Sequence, residues 1–142
     1  MIKERVLSIP NEIYDQMINH AKSIAPIESC GYLGGKEDKI STFYQMTNTD
    51  NSPEHFTFDP KEQFQVVKQA RNKGEDLLAV YHSHPASPAR LSAEDIKLFN
   101  DPNPVYIIVS LHQKIDVKGY TVYKPDDKTI EINQVIIKKE NK

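Results

Sequence analysis

Apolar positions along this chain fall into two periods, and each change of period marks an element. Val6 to Ile9 forms a short strand candidate. Over residues 11–24, Ile13, Met17 and Ile24 share one side with Tyr14, Ile18 and Ala21 beside them, near the 3.6-residue period of a helix that Pro26 ends. Cys30 to Gly35 reads as a strand whose glycines sit where backbone approaches closely, and Ile40 to Met46 reads as the next strand. Thr47 to Phe58 is a polar loop longer than most connections. Asp59-Pro60-Lys61-Glu62 then opens a helix: Asp caps, Pro takes the first turn and Glu closes a capping box. Phe64, Val67, Ala70 and Arg71 follow at helical spacing, and Gly74 stops the helix. Leu77 to Tyr81 and Val105 to Ser110 are continuous apolar runs, the mark of strands buried on both faces. Between them Ser92 opens a short helix to about Phe99. Lys118 to Tyr123 and Thr129 to Ile137 are strands joined by a turn at Pro125-Asp126-Asp127, and Lys138 to Lys142 reads as a frayed tail.

This order implies one mixed sheet with helices against it. The 142 residues suit a single domain spanning 1–142. With 18 basic and 20 acidic residues the net charge is -2, so the basic footprint of a nucleic-acid partner is missing. One cysteine excludes a disulfide framework and any multi-cysteine zinc ribbon. Charges at Lys3, Glu4 and Arg5 precede too few apolar residues for a signal core, and no run approaches the ~20 residues of a membrane span. A cytoplasmic protein with no membrane partner is expected.

Candidate chemistry gathers at the end of the first buried strand. His82 and His84 are two apart, so in an extended chain both imidazoles face the same way. Imidazole and carboxylate suit zinc, and a catalytic zinc takes three protein ligands with one position open. Asp95, in the first turn of the next helix, is the best-placed third ligand. Ser92-x-x-Asp95 is also close to a capping box, in which the pair would only satisfy helix amides. A zinc deaminase, needing Pro-Cys-x-x-Cys, is excluded by the cysteine count, and a helical His-Glu-x-x-His is absent.

Together His82-x-His84, seven residues, Ser92, two residues and Asp95 resemble the signature of the JAMM (MPN+) metalloproteases, stand-alone prokaryotic type. Glu28, in Pro26-Ile27-Glu28-Ser29-Cys30-Gly31, is similar to that family's upstream glutamate, and the order of strands and loops follows the family through nearly the whole chain. The resemblance implies an α/β MPN-type fold, a mixed, mostly antiparallel curved sheet flanked by helices. It implies Zn2+ on His82, His84 and Asp95, Glu28 as general base and Ser92 as oxyanion donor. It also implies cleavage of isopeptide or peptide bonds at the Gly-Gly tail of ubiquitin-like or sulfur-carrier proteins. Such a tail would lie extended, as a strand added at the sheet rim beside the 47–58 loop. Two alternatives stand beside it: a non-catalytic MPN scaffold, and a zinc hydrolase of a small-molecule amide. Cys30 reads as a small buried hydrophobe and Tyr106 and the phenylalanines as core. His20 sits at a helix C-terminus that favours positive charge, and His55 could touch substrate.

Overall fold

The computed structural model describes residues 4–141. Strand β1 (Val6–Pro10) passes directly into helix α1 (Asn11–Ile24), followed by β2 (Cys30–Lys36), β3 (Lys39–Met46), α2 (Pro60–Asn72), β4 (Asp76–His84), α3 (Ala93–Leu98), β5 (Val105–Ser110), β6 (Asp116–Tyr123) and β7 (Glu131–Glu140). The strands close into a barrel in the order β1-β3-β2-β4-β5-β6-β7. β2 pairs antiparallel with β3 and β4, and β6 with β5 and β7. The β1–β3, β1–β7 and β4–β5 pairs are parallel.

Amphipathic α1 lays Ile13, Met17 and Ala21 against Leu7, Ile9, Leu33, Tyr81 and Ile107 in the main core. Each large apolar side chain so buried stabilises by roughly 1.5–3 kcal/mol. All six residues of β5 are buried, as its apolar run predicts, because one face meets this core and the other is covered by α3 and its flanking loops. At Gly31 an added Cβ would stand 2.5 Å from the Tyr44 carbonyl oxygen, the close approach expected of this glycine strand. Gly74, with φ +71°, supplies the left-handed stop after α2.

Three local expectations need correction. On α2 the buried positions are Val66 and Ala70, which pack on Cys30, Tyr44 and Met46; Phe64 is 71% exposed and Val67 39%. The stripe that meets the sheet is thus an i, i+4 pair shifted from the one the spacing suggested. Phe64 therefore lies outside the core. Asp59 caps α2 through the Lys61 amide, but Glu62 does not complete the box: its carboxylate accepts from the Thr47 amide and hydroxyl, tying helix to loop. Finally, Lys138 to Glu140 are not frayed. They pair with Ser8, Ile9 and Pro10 and close the barrel, with Lys139 Nζ 3.3 Å from Asp15 and over the Tyr14 ring. β7 outruns β6 and exchanges one partner strand for another. Lys142, and Lys3 at the other end, lie outside the described residues.

Candidate metal centre

Side chains alternate along β4, so Ala79 and Tyr81 enter the barrel core while Val80, His82 and His84 face outward under α3 and the 47–58 loop. His82 is fully buried and His84 nearly so. The loop after β4 returns at Ser92, which caps α3 with a complete capping box: Ser92 Oγ accepts from the Asp95 amide, and the Ser92 amide donates to Asp95 Oδ2, both at 3.0 Å. This box aims the buried Asp95 carboxylate at the histidines. Its Oδ2 lies 3.0 Å from His84 Nε2 and 3.2 Å from His82 Nε2, and the two Nε2 atoms are 3.1 Å apart.

Those contacts are hard to satisfy with protons alone. His84 Nδ1 lies 2.9 Å from the Pro88 carbonyl oxygen, which only accepts, so Nδ1 carries the ring proton and Nε2 presents a lone pair to the carboxylate. Two acceptors then face each other inside the protein. A cation resolves the conflict: ligand atoms about 2.0–2.2 Å from a tetrahedral zinc stand roughly 3.3–3.6 Å from each other, a little wider than the separations here. A backbone carbonyl behind a histidine is the usual support of a ligating ring. Among the described residues, His82, His84 and Asp95 form the group that could hold a metal ion.

Glu28 completes the arrangement. Cys30 pairs with His82, and Ser29 and Ser83 are joined by Ser83 N–H to Ser29 O (3.0 Å) and Ser29 N–H to Ser83 Oγ (2.8 Å). Continuing that register sets Glu28 opposite His84, on the face of the histidines. The carboxyl is buried and its Oε1 has no hydrogen-bond partner. Burial, then the charges of Asp95, Glu94 and Glu54, push its pKa up to about 9. Burial also raises the Asp95 carboxyl, but its contacts with the His82 and His84 rings and with the Ser92 amide outweigh this and hold Asp95 well below the usual carboxylate range. Desolvation lowers His82, favouring the neutral ring a metal needs.

Phe56, from the 47–58 loop, stacks on His82 with centroids 5.0 Å apart, and Phe99 meets the same ring edge-on at 5.4 Å. Beyond them a cavity of about 520 Å³ runs from Asp95 between Tyr32, Phe56, Phe58, Leu98 and Tyr106, with His55 also on its wall. Cys30 lies buried on β2 opposite His82, packed with Val66 and Ala70 of α2, its thiol pushed by burial up to about 12, in keeping with a packing role. His20 departs from its sequence reading. It is buried, its Nδ1 lies 2.6 Å from the Tyr81 hydroxyl, and desolvation lowers its pKa, so it does not bring a charge to the helix end. Sequence reasoning also missed Asn48, whose amide ties the loop to Glu28, and the His20–Tyr81–Ser29 chain behind β4. No spacing rule flags an asparagine after a strand.

A curved mixed sheet, with α1 packed on it by one face and two histidines of a buried strand next to a helix-start aspartate, belongs to the JAB1/MPN fold class. Residues 10–123 match the family model of prokaryotic homologs of the JAB domain, and the chain belongs to that family. It is 36% identical over 107 residues to the CysO-cysteine peptidase of Mycobacterium tuberculosis, covering 74% of this chain and 73% of that protein. Identity to the desampylase of Pyrococcus furiosus is 28% over 130 residues, covering 92% and 90%. Among solved structures, a protein from Desulfitobacterium hafniense superposes with a TM-score of 0.79 at 37% identity over 96% of each chain. No helix among the described residues is long and apolar enough to cross a membrane.

Proposed function

We propose that this chain is a zinc-dependent hydrolase that cleaves peptide or isopeptide bonds at the Gly-Gly tail of ubiquitin-like or sulfur-carrier proteins. The observation that carries this reading is the convergence of His82, His84 and Asp95 at 3.0–3.2 Å, with an unpartnered buried carboxylate at Glu28 on the same face. The names of the relatives, a CysO-cysteine peptidase and a desampylase, support the substrate class.

His82, His84 and Asp95 would hold the ion as two neutral rings and one charge. When bound, zinc supplies a water acidified toward neutral pH and a Lewis acid for the scissile carbonyl. With the positive charge of a bound ion offsetting the burial and carboxylate charges that raise its pKa, Glu28 would take a proton at Oε1, the oxygen nothing else occupies, and return it to the leaving amine. Ser92 spends a lone pair on the Asp95 amide and keeps its hydroxyl proton to donate to the developing oxyanion. Phe56 and Phe99 keep water from the far side of His82.

The tail lies across the outer face of β4 in the apolar cavity that ends at Asp95. Because β2 and β5 occupy both sides of β4 up to the histidines, the tail is placed across the face of β4 and not as a strand along its side. Residues without side chains suit the approach to a buried centre. The exposed Leu98 on the cavity wall suits a protein tail better than an enclosed small molecule, and a complete ligand set sets the chain apart from a scaffold without one. The test is a panel of fusions joined through Gly-Gly or through Gly-to-Val variants, assayed with and without chelator. Cleavage of the Gly-Gly fusions alone, abolished by chelator, is expected; equal cleavage of bulky tails, or chelator-resistant cleavage, contradicts the reading.

A further inference from the structure

Asn48, just past β3, is 3% exposed and uses every hydrogen-bonding position of its amide. Its Nδ2 donates to the carbonyl oxygens of Glu28 and His55, both at 3.0 Å, with Ser52 O more distant at 3.5 Å. Its Oδ1 accepts from the amides of Asp50 (3.0 Å) and Thr57 (3.2 Å). Carbonyls on one side and N–H groups on the other fix which end is which. Glu28 is thereby held at both ends of its backbone unit, since its own amide donates to Ser52 O at 2.9 Å. Phe56, which stacks on His82, sits between the two residues that Asn48 grips, His55 and Thr57.

We infer that Asn48 is a positioning residue that makes the placement of Glu28 and the ordering of the 49–57 loop one cooperative event. This rests on the role given to Glu28 above. Only an asparagine fits: aspartate of the same length lacks the two donors, serine offers one hydroxyl, and glutamine is a methylene too long for the same five partners. With the amide gone, the carboxylate-bearing segment and the roof over His82 are free to move separately. Displacements of about 1 Å in a reacting group cost on the order of 10²-fold in rate.

The experiment measures kcat and KM on a Gly-Gly-linked fusion, together with bound zinc, for Asn48→Ser, Glu28→Gln and the double variant. Expected are a kcat drop of about 10²-fold in Asn48→Ser, with zinc still bound, and no further drop when it is added to Glu28→Gln, because a residue acting through Glu28 has nothing left to position. Unchanged kcat in Asn48→Ser, or a full additional loss on top of Glu28→Gln, overturns the inference and leaves the role of Glu28 standing. An active Glu28→Gln overturns that role instead. Amide hydrogen exchange on the unsubstituted protein tests the same point without any variant. The amides of Glu28, Asp50 and Thr57 are expected to share one protection level and open together; exchange of Glu28 independent of the other two contradicts the inference.

Discussion

A histidine ligates a metal only through a nitrogen free of its proton, and at His84 the Pro88 carbonyl makes that choice. Removing a ligand leaves an incomplete shell, so His84→Ala or Asp95→Ala should lower bound zinc from about one per chain to a substoichiometric level, read by elemental analysis. Ser92 caps α3, and one substitution separates that cap from its proposed role as oxyanion donor. Loss of its cap should cost ~1 kcal/mol in the melting transition. Loss of its hydroxyl proton should lower turnover by ~10²–10³-fold. A Ser92→Ala variant whose melting moves while turnover does not would leave the residue a cap alone. That His82, His84, Ser92 and Asp95 gather at one place was legible because their spacing is local and dictated by a strand end and a helix start.

At the scale of elements, legibility follows how local the deciding contacts are. The boundaries of α1 and β5 match their sequence patterns, since each buries a periodic or continuous apolar set. The face of α2 was misjudged because Val66 and Val67 are equally apolar and only the sheet decides between them. The 47–58 loop reads as long, polar and able to flank a groove, and Phe56 does roof His82, but the ties from Asn48 and Glu62 that hold it in place carry no local signal. Those ties span 20 residues or fewer but depend on the fold's return of Glu28 to β4. Phe56 contributes a wall of the cavity and no metal ligand. Phe56→Ala should therefore raise KM for a Gly-Gly fusion roughly tenfold, about 1.4 kcal/mol of lost contact, while zinc stays bound. A loss of zinc with unchanged KM would assign the ring to the metal shell instead.

For the molecule as a whole, closure of the barrel is the feature that no local pattern announced. Lys138 and Lys139 look like a solvated end, but they complete the seam between β7 and β1. Behind the metal face lies the other buried histidine, His20, within hydrogen-bonding distance of Tyr81, which in turn donates to Ser29. Its native pKa is lowered by desolvation from the ordinary 6.5. The unfolded chain then binds more protons than the native one below about pH 6.5, so stability falls as pH drops from there through the native pKa. With zinc saturating, so that His82 and His84 stay ligated, His20→Gln should flatten this acid slope in a denaturant titration; an unchanged slope would place the titration elsewhere.

The central claim is that the ion is held by His82, His84 and Asp95 while a separate carboxylate, Glu28, handles the proton. It is tested most directly by measuring bound zinc and turnover of a Gly-Gly fusion on one preparation of Glu28→Gln. The account predicts about one zinc per chain and turnover lowered by ~10²–10⁴-fold, because the ligands are intact and the base is gone. Near-normal turnover, or loss of the zinc along with the activity, would contradict it.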